Sequence, residues 1–161
     1  MQDLTIVEAN LADPQHQDAI IAMVNAYAGD PMGGGHDLPA EIRTALIPGL
    51  QKHPTTLIFL AFHGAEPVGI AVCFVGFSTF AARTLINIHD LAVIPAYRRQ
   101  GVGQLLLEQV AAKGRELGCC KLTLEVREDN TPAQQLYQRM GFRHVAYAGG
   151  TTHVWFIEKP L

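Results

Sequence analysis

The chain has 161 residues, 12 Lys and Arg against 15 Asp and Glu, a formal net charge of -3, and a composition 48% hydrophobic and 17% charged. That length suits a single domain over residues 1–161 with a core that needs no disulfide or structural metal, and apolar residues spread along the whole chain exclude disorder as the main state. Mild acidity, with Arg98-Arg99 as the densest basic spot, argues against nucleic acid as a partner, and no apolar stretch approaches the roughly 18 residues of a membrane span.

The N-terminus, Met1-Gln2-Asp3-Leu4-Thr5, lacks the basic and apolar regions of a signal peptide. Residues 4–9 alternate as a strand. Asp13-Pro14 then opens a helix, with Asp as cap and Pro in the first turn; Ile20, Ile21, Val24 and Tyr27 supply its apolar face, and Gly29-Asp30-Pro31 stops it. Residues 31–36, with three consecutive glycines, read as a flexible loop. A second helix is expected over 37–52, kinked or ended early by Pro48-Gly49. Residues 56–62 and 67–77 form a hairpin around His63-Gly64-Ala65-Glu66, and 84–93 is the next strand, broken by Pro95-Ala96-Tyr97.

The clearest helix is 102–117, with Leu105, Leu106, Val110 and Leu117 near helical spacing and Gly118 as its stop. Residues 121–126 alternate as a strand. Thr131-Pro132-Ala133-Gln134 fits a capping box opening a short helix that ends at Gly141. Strands are expected over 142–147 and 153–158, so the order is βααβββαβαββ. The unit 84–126 should be a right-handed parallel crossover. Its ligand crevice lies at the carboxyl ends of the strands, Val93 and Val126.

Cys73, Cys119 and Cys120 make an odd count with two adjacent, which suits reduced cytosolic residues in packing positions. No pair of cysteines or histidines stands at zinc spacing, so no metal is expected. The chemistry concentrates instead where strand 84–93 hands over to helix 102–117. Gly101 and Gly103 allow a tight turn and close approach to the backbone, and no Ser, Thr, Asp or Asn stands there to cap the helix. Its first amides therefore favour an anion, with Arg98 and Arg99 adding charge beside them. That describes a pyrophosphate-sized pocket, although a glycine-rich loop with water on its amides fits the same residues. The stretch lacks the third glycine of a dinucleotide fingerprint and the Gly-Lys-Ser/Thr of a Walker loop.

Arg98-x-x-Gly101-x-Gly103 following Leu91-Ala92-Val93 resembles the acetyl-CoA signature, Arg/Gln-x-x-Gly-x-Gly/Ala, of the GNAT superfamily of N-acetyltransferases. Asn130, Ala133, Leu136-Tyr137 and Gly141-Phe142 are similar to its second hallmark, and the order of elements matches over essentially the whole chain. The resemblance implies an α/β GNAT fold, a mixed central sheet flanked by helices. It also implies an acetyl-CoA-dependent enzyme that acetylates a primary amine of a small molecule, such as a polyamine or diamino acid, by direct attack in a ternary complex. Backbone amides of Gln100, Gly101, Val102, Gly103 and Gln104 would hold the CoA pyrophosphate. The strand edge at Leu91, Ala92 and Val93 would pair with the pantetheine arm, Asn130 and Ala133 would line its other side, and Tyr137 would protonate the leaving thiolate. A cytoplasmic homodimer without nucleic-acid or membrane partners is the expected setting. A protein N-terminal or lysine acetyltransferase and a non-catalytic CoA sensor stand as alternatives.

The general base is a separate question. Asn87, His89 and Asp90 place polar groups in an apolar strand, and a buried polar group needs a partner or a function. Simple alternation puts Asn87 and His89 on one face and Asp90 on the other. Polyamine and thialysine acetyltransferases carry a Glu-Asp pair in this strand; His89-Asp90 aligns with it, so His replaces the Glu. A histidine can serve as a base near neutral pH, and an ammonium must lose a proton before it attacks. Asp90 would hold a cationic acceptor or accept backbone N–H bonds. Phe77-Ser78-Thr79-Phe80 is similar to an aromatic-Ser-Thr-aromatic stretch of the same group, and an ordinary turn fits it equally.

Overall fold

The structure, a computed structural model, describes residues 3–143. Within them run β1 (Leu4–Glu8), α1 (Pro14–Gly29), α2 (Ala40–Lys52), β2 (Thr56–His63), β3 (Glu66–Ser78), β4 (Arg83–Val93), a 3-10 turn (Pro95–Tyr97), α3 (Val102–Glu116), β5 (Leu122–Leu124) and α4 (Thr131–Arg139). The order agrees with the sequence reading through α4. The strands expected over 142–147 and 153–158 lie outside the described residues, except Phe142 and Arg143, which are not in a strand.

The strands form one sheet in the order β1-β2-β3-β4-β5. The first four are antiparallel, and β5 runs parallel to β4 through the α3 crossover. Alternation along β2 and β3 divides two apolar layers. Leu57, Phe59, Ala61, Ala71 and Cys73 face α3, whose Val102, Leu106, Leu107 and Val110 are buried against them. Ile58, Leu60, Phe62, Ile70 and Val72 face Ala19, Ile20 and Met23 of α1 and Ile47 and Leu50 of α2. Leu117, read as part of the apolar stripe of α3, is exposed instead, just past the helix.

Local chemistry explains most boundaries. Asp13 caps α1 by accepting from the Gln15 amide at 2.9 Å, with Pro14 in the first turn. At the other end the Asp30 amide donates to the Tyr27 carbonyl. The second helix begins at Ala40 rather than at residue 37, because Pro39 disfavours helical backbone at Leu38 and the Leu38 amide donates to Asn25 Oδ1 at 2.9 Å. Pro48 does not end it. Pro48 and the Thr44 whose carbonyl it fails to bond are both exposed, so water serves that carbonyl, while Ile47 and Leu50 anchor the opposite face.

The cap of α4 is Asn130 rather than Thr131: its Oδ1 accepts from the Ala133 amide at 3.3 Å, and Thr131 is the first helical residue. The fifth strand is shorter than expected, pairing with β4 only at Ile86–Leu122, Asn87–Thr123 and Ile88–Leu124.

The seating of α3 on the sheet depends on Gly69 of β3. A Cβ there would meet Val102 Cγ1 at 3.0 Å, Leu106 Cδ1 at 3.1 Å and Ala61 Cβ at 3.3 Å. Gly69→Ala should therefore destabilise the protein by roughly 1–3 kcal/mol through overpacking. The expected readout is a lower urea midpoint at unchanged slope. An unchanged midpoint would contradict this close approach.

Candidate active site

The site grows from the parting of β4 and β5. Their pairing stops at Ile88 and Leu124, so beyond it the edge of β4 that faced β5 has no strand beside it among the described residues. An irregularity in β4 sits at the same level. Val72 stands opposite Asp90 and Cys73 opposite Ile88, which leaves His89 as an extra residue in a bulge. The bulge shifts the alternation. Asn87 lies opposite Phe74 and Asp90 opposite Val72, and both partners belong to the α1/α2 layer. Asp90 therefore shares a face with Asn87, which corrects the expectation of opposite faces. His89 meets the Phe74 ring edge-on at 5.7 Å between centroids. Beyond the bulge, Leu91 and Val93 pack toward α3 and α4, and Ala92 packs toward α1 and α2.

The gap opens into a cavity of about 330 Å3. It brings together five of the expected site residues, His89, Leu91, Asn130, Ala133 and Tyr137. Tyr27 of α1 and Met32 of the following loop also line it, with Glu125 and Arg127 beyond β5. These four escaped the sequence reading. Tyr27 did carry a signal: a phenol ending the apolar stripe of α1, where its hydroxyl needs a partner or an opening. Asp90, Ala92, Val93 and residues 98–104 do not line this cavity. Phe77 and Phe80, at the tip of the β3–β4 hairpin, do not line it either; they are 62% and 101% exposed.

Beside the end of β4 stands the N-terminus of α3. Its cap is Gly101 with φ +87°, and no side chain bonds the first turn. The first bond into the helix from outside is Leu105 N–H to Gly101 O at 3.0 Å, so the amides of Val102, Gly103 and Gln104 have no partner four residues back. Arg99 also adopts a left-handed φ of +61°. Gly103 has a different reason to be glycine: a Cβ there would meet Leu136 Cδ2 of α4 at 3.1 Å. Its missing side chain lets α4, and with it Tyr137, approach α3. Among the described residues, the β4 edge beyond Ile88 has backbone groups open to an extended ligand, and the uncapped α3 amides are donors suited to an anion. Arg98 is engaged elsewhere. Its Nε donates to the Val93 carbonyl at 2.8 Å and its Nη2 pairs with Asp30.

Burial sets the protonation of the site. Burial first, and the nearby Tyr27 second, push the Tyr137 phenol up to about 12, so it keeps its proton at neutral pH. Tyr27 is raised by burial and then by Asp90 and Asp30, with Arg127 opposing. Burial raises the Asp90 carboxyl above its ordinary value, against the pull of His89. Cys73 is raised to about 12 by burial and then by Asp90, which makes it an inert thiol.

The mixed sheet, parted between two parallel strands, and the uncapped helix form a fold shared with solved structures. The structure of AAC(6')-Iy in complex with the bisubstrate analogue CoA-S-monomethyl-acetylneamine superposes with a TM-score of 0.75 at 18% identity, over 98% of this chain and 99% of that one. Residues 16–142 match the model of the acetyltransferase (GNAT) family, and the chain belongs to that family. Thialysine N-epsilon-acetyltransferase of Bos taurus is 32% identical over 115 residues, 71% of this chain and 59% of that protein. Its counterpart in Caenorhabditis elegans is 25% identical over 149 residues, 89% and 84% of the two chains. This chain thus spans less than two thirds of the bovine relative and most of the nematode one.

Two predictions rest on this geometry. Gly101→Ala has open space for its methyl but must hold a left-handed φ. It should cost about 1–2 kcal/mol and lower acetyl-CoA affinity by disturbing the first turn; unchanged melting and affinity would contradict the turn's role. The second concerns Asp90. Its folded pKa is raised, so the folded state binds the proton more tightly than the unfolded chain and stability falls as pH rises from about 4. Asp90→Asn should melt at or above the wild-type temperature at pH 7, with the difference closing as pH falls toward about 4. A variant that melts several degrees lower at pH 7 would make the carboxylate a structural acceptor.

Proposed function

We propose that this protein is an acetyl-CoA-dependent N-acetyltransferase that acetylates a primary amine of a small molecule, a polyamine or diamino acid, by direct attack in a ternary complex. The observation that carries the reading is the shared cavity: His89 and Tyr137 line one gap where β4 and β5 part, and the far end of β4, at Val93, reaches Gly103 in the uncapped first turn of α3. The thialysine acetyltransferases among its relatives support a small diamine-like acceptor.

In this reading the amides of Gln100, Gly101, Val102, Gly103 and Gln104 hold the pyrophosphate. Backbone groups at Leu91 and Val93 hold the pantetheine arm, and Asn130 and Ala133 flank it. Acetyl-CoA supplies the activated acyl group when bound. His89 takes the proton that the acceptor ammonium must lose, so that nitrogen can form the new C–N bond while the C–S bond breaks. Tyr137 gives its proton to the departing sulfur and regains one from the acylated nitrogen, which sheds its second proton as it becomes the amide. The Asp90 carboxylate attracts the cationic acceptor. Backbone N–H groups of β4 polarise the thioester carbonyl, and proximity in the ternary complex supplies most of the acceleration. Cys73, Cys119 and Cys120 are free thiols, which suits a reducing compartment such as the cytoplasm. No helix among the described residues is long and apolar enough to cross a membrane.

A panel of diamines, diamino acids, aminoglycosides and N-terminal peptides, read by free CoA thiol, tests the acceptor class. Release with small diamines or diamino acids and not with peptides is expected. Release with peptides alone would overturn the acceptor, and no release with any amine would overturn the activity. Tyr137→Phe should lower turnover about 10²–10⁴-fold with acetyl-CoA affinity retained, the range for a lost general acid. Wild-type turnover in that variant would leave Tyr137 a packing residue beside Phe142, whose ring lies 5.7 Å away.

A further inference from the structure

Asp30 organises the segment between α1 and α2. Its amide donates to the Tyr27 carbonyl at 3.0 Å, and its own carbonyl accepts from Gly33 at 2.9 Å and Gly35 at 3.1 Å. Its Oδ1 accepts from the Met32 amide at 2.8 Å. The remaining oxygen, Oδ2, pairs with Arg98. The three-glycine loop is folded into a turn held by hydrogen bonds to Asp30 and to the Ala28 carbonyl. A Cβ at Gly33 would overlap the Tyr27 carbonyl, and Gly35 holds φ +74°. The Asp30 side chain is only 12% exposed. Hydrogen bonds from the Arg98 guanidinium and then from the Met32 amide hold its carboxyl below the usual carboxylate range.

Arg98 stands at the other end of this contact, in the segment between β4 and α3, where its Nε also grips the Val93 carbonyl. Two walls of the site are thereby tied together. One carries Tyr27 and Met32, which line the cavity. The other carries the turn whose amides are offered to the pyrophosphate.

We propose that Asp30 and Arg98 are positioning residues whose ion pair fastens the Tyr27–Met32 wall to the cofactor turn, so that cofactor on α3 tightens the acceptor site. In this assignment Arg98 serves the acceptor through Asp30 rather than the phosphates through its charge. The inference rests on the acetyltransferase reading for what fills the two sides, and the pair itself is a feature of the fold. Coupling of this kind is reciprocal: acceptor bound against Tyr27 strengthens cofactor binding by the same factor.

The test uses the full chain and the variants Asp30→Asn, Arg98→Gln and both together. Amide hydrogen exchange over residues 31–36 is measured with and without acetyl-CoA, alongside acetyl-CoA affinity and steady-state kinetics with the best amine of the panel. In the wild type, acetyl-CoA should slow exchange of this segment severalfold. Asp30→Asn should abolish that response while acetyl-CoA affinity, measured without acceptor, stays within roughly twofold; it should raise the acceptor KM about five- to tenfold, a common size for coupling, and lower kcat less. The double variant should be no worse than either single one, as for two partners in one interaction. The proposal is overturned if Asp30→Asn leaves both the exchange response and the acceptor KM unchanged. It is equally overturned if Arg98→Gln weakens acetyl-CoA strongly while Asp30→Asn does not affect the acceptor. Should no amine be acetylated, the activity reading falls and the exchange response alone decides for or against the pair.

Discussion

Strands β4 and β5 run side by side for three residues and then part, and the site depends on that parting. A strand edge without a neighbour presents backbone donors and acceptors that require partners. Among the described residues the edge faces a cavity rather than another strand, and an extended ligand can complete it. The bulge at His89 falls at the same level. It puts Asp90 on the α1/α2 side, the face that Asn87 already occupies before the bulge. Leu91 and Val93 return to the α3 side, where Tyr137 closes the gap from α4.

Space left by missing side chains holds these pieces at the required distances. Gly69 lets α3 settle on the sheet, Gly103 lets Leu136 bring α4 against α3, and Gly33 lets the loop fold back on the end of α1. Each is a close approach between elements that bear site residues. Only Gly101, among the glycines of the α3 turn, is there for its left-handed φ. Packing and function thus use neighbouring positions of one motif for different physical reasons.

Local signals in the chain revealed the element order through α4, the cap at Asp13 and the uncapped start of α3, because each depends on a few adjacent residues. The bulge was not legible, since it is a count of two residues against one across strands. The opposite-face reading of Asp90 failed for that reason. Thr131 was favoured over Asn130 because both residues can cap and only the backbone decides between them. That Pro48 does not end α2, one of the two outcomes expected of it, depends on exposure of Thr44, whose carbonyl it leaves unbonded, and that exposure is a tertiary property. The pairing of Arg98 with Asp30 spans 68 positions, and no local pattern announces it. Tyr27 was visible as part of an apolar stripe, but its place on the cavity required the packing of α1 over β3 and β4.

The central claim is that the parted edge of β4 and the first turn of α3 together receive acetyl-CoA. Amide chemical-shift mapping of the isotope-labelled protein during an acetyl-CoA titration tests it most directly. The account predicts saturable shifts concentrated in the amides of Leu91, Ala92, Val93, Gly101, Val102, Gly103 and Gln104, with smaller changes around Asn130 and Ala133. Saturable shifts located elsewhere, or none at concentrations well above those of a cellular cofactor, would contradict it.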